Sequence, residues 1–253
     1  MNDQDWLDLP FRDRRHAGRV LARALKSWGN AERPIVLALP RGGVPVGFEV
    51  ARALRMPLDV FLVRKLGVPG HEELAMGAIA SGGVRVLNRE VLATLSLGQE
   101  AIDRVTAAEE RELLRREALY RRGRPPLDVR GRTVFVVDDG LATGTTMRAA
   151  CTALGRLDPR EVIVAVPVGA EDTCTDLQEV ADEVVCVTTP APYYAVGQWY
   201  HDFAQTTDEE VRGLLAEAEG FGLEQPSRGA AGTAPELHVQ RAAGEAGEEQ
   251  AHG

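Results

Sequence analysis

The stretch Val134-Phe135-Val136-Val137-Asp138-Asp139-Gly140-Leu141-Ala142-Thr143-Gly144-Thr145-Thr146 decides how this chain folds. Thr133–Val137 is an apolar, β-rich run that reads as a strand of a parallel sheet, and Gly144–Leu157 reads as the helix that follows it. Ligands of open parallel sheets bind beyond the C-terminal ends of the strands, which is where this turn falls. Backbone N–H groups at a helix start can surround a phosphate. Gly144 permits close approach, and Thr145 and Thr146 add hydroxyls. Two carboxylates cannot cradle that same phosphate, because like charges repel. Asp138 and Asp139 are therefore expected to face the neutral end of the ligand, such as vicinal sugar hydroxyls, or a divalent cation. The bland alternative is a plain turn at Asp139-Gly140 with Thr143 as an ordinary helix cap. The turn is not a Walker A loop, since no lysine precedes its threonines and the upstream glycine is missing.

Working outward, strand-like and helix-like segments alternate. Towards the N-terminus come a helical face over Arg14–Gly29, an apolar run Ile35–Leu39, the turn Pro40-Arg41-Gly42-Gly43, a helix over Val44–Leu54 and a strand over Leu58–Val63. Towards the C-terminus come a strand Val162–Pro167, a helix Ala170–Glu179, a strand Glu183–Thr188 and a final helix Asp208–Ala218. Such alternation predicts an α/β fold with a mostly parallel sheet flanked by helices. Between Arg64 and Gly83 five glycines argue against long regular elements, leaving a short strand Gly77–Ala80 paired with Val84–Leu87. Gln99–Arg122 reads as a long, solvated, charged helix. From Glu224 onward large apolar groups are scarce. Residues 1–223 are therefore expected to form the domain and 224–253 a disordered tail.

Bulk properties narrow the function classes. With 253 residues and 44% hydrophobic content the chain can bury a core, and a net charge of -9 disfavours nonspecific nucleic-acid binding. Cys151, Cys174 and Cys186 are expected as buried free thiols. Neither a secretory signal nor a membrane-spanning apolar run is visible, which favours a cytoplasmic address.

The order of four hydrophobic residues, two acids, a short variable stretch and Thr-Gly-x-Thr/Ser resembles the phosphoribosyl-diphosphate-binding motif of the type I phosphoribosyltransferases, in a less characterised bacterial branch. The likeness implies a type I phosphoribosyltransferase-like fold with a small hood near residues 190–203. It implies that Asp138 and Asp139 contact the ribose hydroxyls, and that Ala142, Thr143, Gly144, Thr145 and Thr146 hold the 5-phosphate. It further implies 5-phosphoribosyl 1-diphosphate as substrate and Mg2+ bound through the substrate near Asp138 and Asp139, with no direct protein ligand assigned. Purine-salvage relatives carry an acid immediately before Thr-Gly. Ala142 stands there instead, so transfer to a purine does not follow from the likeness.

A second anion site is expected at Arg41, Gly42 and Gly43, where glycines allow a tight turn and Arg41 supplies a planar charged fork for diphosphate. The likeness implies a non-proline cis peptide there, placed at Pro40-Arg41, with Leu39-Pro40 as the alternative. Arg64 and Lys65 follow the next strand and are added to the diphosphate set, Arg41 and Lys65 being the expected catalytic cations. Val68–Ala80 and the run Ala195–Phe203 also resemble the bacterial branch. His71 and Glu73 are candidate lid contacts, and Tyr193, Tyr194 and Trp199 candidate acceptor contacts, with an exposed loop and core packing as their respective alternatives. The implied reaction transfers phosphoribosyl to a nitrogenous acceptor and releases diphosphate. The alternatives are a donor-binding regulator with an RNA surface and a sugar-phosphate phosphohydrolase. The likeness also implies a homodimer.

Overall fold

Thr133–Val137 forms a strand, β6 in chain order, in which every residue is buried, as a central strand of a sheet covered on both sides must be. The computed structural model describes residues 9–95 and 97–222, and the expectation for 224–253 lies outside the described residues. Beside β6 lie β1 (Ile35–Ala38) and β7 (Glu161–Val168), then β2 (Leu58–Val60) and β8 (Glu183–Thr188) at the two edges. The order is β2-β1-β6-β7-β8, with every pairing parallel.

Alternation along the strands sorts the core into two layers. Val36, Ala38, Phe135, Val137, Ile163 and Ala165 point to one face. There they meet α2 (Gly43–Leu54), α4 (Gln99–Tyr120) and α7 (Asp208–Glu217). Ile35, Leu37, Val134, Val136, Val162 and Val164 point to the other and meet α5 (Thr145–Leu154) through Met147, Ala150, Cys151 and Leu154. The helix α1 (Arg14–Ala24) is capped by Asp13, whose carboxylate accepts from the His16 N–H, and it packs on α2. At that contact Glu49 is only 1% exposed, and its carboxylate accepts from Arg15 at 2.7 Å and Arg52 at 2.5 Å.

The segment expected to lack long elements is instead a three-stranded antiparallel sheet of β3 (Val63–Val68), β4 (His71–Ala80) and β5 (Val84–Leu87). Its glycines serve the hairpins rather than break them. Gly70 and Gly82-Gly83 take positive φ at the two turns, and Gly67 lies at an irregularity in the β3–β4 ladder. The expected pairing of residues 77–80 with 84–87 is present. A short helix, α3 (Arg89–Thr94), capped by Asn88, was not anticipated.

The three cysteines do not share one state. Cys151 is a buried free thiol whose pKa is pushed up to about 12 by burial. Cys174 and Cys186, expected as free thiols, form a disulfide. The reason is topological: α6 (Glu171–Asp176) leaves the end of β7 and the chain returns as the neighbouring strand β8, so two cysteines 12 residues apart are brought side by side. Spacing in the sequence carries no sign of that return. Among the described residues no helix is long and apolar enough to cross a membrane.

Candidate functional site

β1 and β6 are neighbours that end together, so the turns leaving them are forced into contact. Leu39 N–H donates to the Val137 carbonyl, and the chain then enters Pro40-Arg41-Gly42-Gly43. The Pro40-Arg41 peptide is cis, whereas Leu39-Pro40 is not among the cis bonds. A Cβ added to Gly42 would lie 2.1 Å from Asp139 Oδ2, and one on Gly43 would lie 2.6 Å from the Val137 carbonyl oxygen and 3.0 Å from the Asp138 Cα. The first turn is thus seated directly on the two acids of the second, with no room for a side chain between them.

Asp138 and Asp139 differ in their surroundings. Asp138 Oδ1 accepts only from the neighbouring Asp139 N–H, at 2.8 Å, among the described residues. Burial, and then the Asp139 charge, push its pKa well above the ordinary carboxylate value. Burial also raises Asp139, but a cation opposes it: Arg14 Nε donates to Asp139 Oδ2 at 2.7 Å. The same guanidinium donates through Nη1 to the Ala204 carbonyl at 2.6 Å and lies 3.9 Å from the centre of the Phe203 ring. Tyr200 donates its hydroxyl to the Asp139 carbonyl.

Beyond the acids, Leu141 bridges to Gly169, and Gly144 takes φ +65° as it caps α5. That left-handed conformation suits glycine, and a Cβ there would lie 2.6 Å from Thr173 Cγ2. Thr173 holds the turn from outside, donating its hydroxyl to the Ala142 carbonyl at 2.7 Å. Thr143 and Thr145 place their hydroxyl oxygens 3.2 Å apart, and Ala142, Thr143, Thr145 and Thr146 are all exposed. The result is an open helix entrance ringed by hydroxyls, none of which bonds a carboxylate among the described residues, a geometry suited to an anion.

The remaining candidates are only partly gathered there. Arg41 sits in the first turn and approaches Asp208 at 3.6 Å, which in turn accepts from the Tyr120 hydroxyl at 2.6 Å. Arg64 turns to Glu109, at 2.6 Å, and Lys65 to Glu73, at 3.6 Å. His71 and Glu73 lie exposed on β4, beside the hairpin turn at Gly70. In the segment 190–203, Tyr194 is 81% exposed. Tyr193 and Trp199 stack with ring centres 6.3 Å apart against a small core of Phe11, Ala17, Val20, Val168 and Tyr200. Tyr193 Oη and Trp199 Nε1 are both buried without a hydrogen-bond partner among the described residues. Burial, and then the charge of Asp139, push the Tyr193 pKa up to about 12.

Sequence reasoning missed Arg14, Thr173, Tyr200 and Asp208. Arg14 is one of several arginines in α1, and nothing in that run distinguishes it. Among the described residues no group of three or more His, Cys, Asp or Glu side chains is arranged to hold a metal ion.

A family model described as "Phosphoribosyl transferase domain" matches residues 14–203. Two curated Mycobacterium tuberculosis proteins, Rv0571c from strain H37Rv and MT0597 from strain CDC 1551, are named as candidate phosphoribosyl transferases. Each is 49% identical to the chain over 208 residues, covering 82% of this chain and 47% of theirs. The chain thus spans about half the length of the curated relatives it matches. A solved structure, TT1426 from Thermus thermophilus, superposes with a TM-score of 0.74 at 47% identity and covers 82% of this chain and 98% of that one.

Proposed function

The chain belongs to the phosphoribosyl transferase domain family, and on that premise we propose that it transfers the phosphoribosyl group of 5-phosphoribosyl 1-diphosphate to a nitrogenous acceptor, releasing diphosphate. One observation carries the reading: the Arg41-Gly42-Gly43 turn rests on Asp138-Asp139, and the hydroxyl-ringed helix entrance follows within the same loop. A donor laid across these features would meet an anion-facing turn, two acids and a second anion-facing turn in the order diphosphate, ribose diol, 5-phosphate.

In this arrangement the helix start at Thr143–Thr146 fixes the 5-phosphate, and the acids accept from the ribose hydroxyls. Arg14 offsets the charge of Asp139, so that the acid pair can stand close to an anionic donor. The acceptor nitrogen attacks the anomeric carbon as its bond to the diphosphate oxygen breaks. The electron pair leaves with the diphosphate, towards Arg41 and the backbone N–H groups of its turn. Magnesium would accompany the donor near Asp138 and Asp139, where it would offset charge on the diphosphate. Tyr193 and Trp199 are the expected acceptor-side residues, and their Oη and Nε1 atoms, buried without partners among the described residues, would reach an acceptor only if the aromatic segment shifts to expose them. With Ala142 before Thr-Gly, no carboxylate is placed there to hold a purine ring nitrogen.

A second reading, a donor-binding regulator without turnover, is favoured by the ion pairs that engage Arg64 and Lys65 with Glu109 and Glu73. Incubating the protein with donor, magnesium and a panel of purine, pyrimidine and other nitrogenous acceptors separates the two. Acceptor-dependent release of diphosphate with a ribosylated product supports transfer. Donor binding without release from any acceptor moves the regulator ahead.

A further inference from the structure

All three non-glycine residues with positive φ among the described residues, Arg33, Arg55 and Asp158, border strand starts, at the edge of the sheet opposite the candidate site. Arg33 (φ 47°) precedes β1 and Arg55 (φ 54°) closes α2 just before β2, at the helix-end position where glycine is commonest. Glycine adopts this conformation freely and arginine does not. Backbone held in such a state twice by the same cationic residue type points to the side chains rather than to the turns.

Both residues line one surface pocket of about 290 Å³, together with Pro34, Pro57, Arg132 and Gly222. It lies beneath the first residues of β1, β2 and β6, which are adjacent in the sheet. Arg132 is fixed there, donating from Nε to the Arg33 carbonyl at 3.1 Å and from Nη2 to the Pro34 carbonyl at 2.8 Å. None of the three guanidiniums has a carboxylate within 4.0 Å among the described residues, although Glu32 and Asp158 nearby are paired with Arg160 and Arg130. Arg33 donates from Nη1 to the Arg130 carbonyl at 3.4 Å. Burial, and then the Arg33 charge, lower the Arg132 pKa, and the Asp128 charge opposes them only in part.

We propose that this cavity is a binding site for a phosphoryl anion, carried by a small molecule the size of a mononucleotide or less. Planar guanidinium forks match phosphate oxygens pairwise, and the volume stands at the small end of ligand pockets, which run from about 300 Å³ upward. The two prolines would cover whatever apolar body the phosphate carries. The site is separate from the transferase reading and stands whether or not that reading holds.

The test uses the full chain, with inorganic phosphate, diphosphate and adenosine 5′-monophosphate as probes in calorimetry. Because the helix entrance at Thr143–Thr146 also offers N–H groups to phosphate, the readout is stoichiometry. Arg33→Gly/Arg55→Gly is expected to lose one bound anion per chain while melting no lower than the parent, since glycine relieves both left-handed positions. Arg55→Gly alone, at a helix end that welcomes glycine, is expected to weaken the same binding event and serves if the double variant folds poorly. Arg111→Gln/Arg122→Gln removes as much charge elsewhere and is expected to keep the stoichiometry. Tighter binding of the nucleotide than of phosphate identifies an ester as the source, and equal binding identifies the free anion. Unchanged stoichiometry in the glycine variants, or the same loss in the glutamine control, overturns the proposal.

Discussion

The guanidinium of Arg14 and the carboxylate of Asp139, 125 residues apart in the chain, meet at 2.7 Å, and both side chains are nearly hidden from solvent. The pair joins α1 to the loop after β6, and through Phe203 and Ala204 it joins both to the segment expected to contact the acceptor. Removing one partner of such a pair leaves the other charge largely buried and unmatched, which costs more than the pair itself contributes.

Arg14→Gln is accordingly expected to weaken donor binding by about tenfold to a hundredfold, the scale of a lost charge-assisted hydrogen bond at ~1.5–3 kcal/mol. Without its cation the Asp139 pKa rises further, so the loss should deepen as the solution is made mildly acidic. Calorimetry with donor and magnesium at several pH values measures this, and a parent-like affinity at every pH removes Arg14 from the site.

Asp138→Asn should separate folding from binding. The folded-state pKa of Asp138 is raised, so the native protein holds this proton more tightly than the unfolded chain does. Its contribution to stability is complete below the ordinary carboxylate value and is lost as pH rises through the raised one. The asparagine variant avoids that loss and keeps the acceptor oxygen for the Asp139 N–H. It should melt higher than the parent near neutral pH, with the gap closing on acidification, while donor affinity falls sharply, most of all when Asp139→Asn is added. A variant that melts lower at neutral pH and binds donor normally contradicts both halves of the argument.

Gly42→Ala places a methyl group where Asp139 Oδ2 now lies, 2.1 Å from the added carbon. Either the turn or the carboxylate must move. Donor affinity is expected to drop by at least tenfold, with the Arg14–Asp139 contact disturbed. A crystal structure of the variant with both turns unmoved and a parent-like donor affinity would rule out the close seating of one turn on the other.

Arg41→Ala should lower affinity for diphosphate more than for ribose 5-phosphate. Its pairing with Asp208, at 3.6 Å between two partly exposed groups, is weak, so the melting temperature should change little, within ~0.5 kcal/mol of stability. Equal losses for the two ligands place Arg41 outside the diphosphate end.

The central strands of the parallel sheet were legible because burial on both faces demands unbroken apolar runs, and Thr133–Val137 appears with the boundaries expected of it, as does the partly buried edge strand Glu183–Thr188. The β3–β4–β5 sheet was not, because its glycines can serve hairpin turns as readily as irregular loops, and composition does not separate the two. At the site, Asp138, Asp139 and the Thr143–Thr146 turn announce themselves by local order along the chain. Arg14, Thr173 and Tyr200 act across the fold from 125, 31 and 61 residues away, respectively, measured to the residues they bond. Long-range partners of this kind leave no periodicity to read. The disulfide is hidden for the same reason.

Arg14 donates to Ala204, 190 residues later, as well as to Asp139. During synthesis, therefore, Arg14 can find its second anchor only after residue 204 has left the ribosome. A nascent chain that has emerged past Thr146 but not yet to Ala204 holds both loops while the Arg14 guanidinium still lacks one of its two anchors, so the cation beside the acids is fully fixed only after the segment carrying Phe203 has been made.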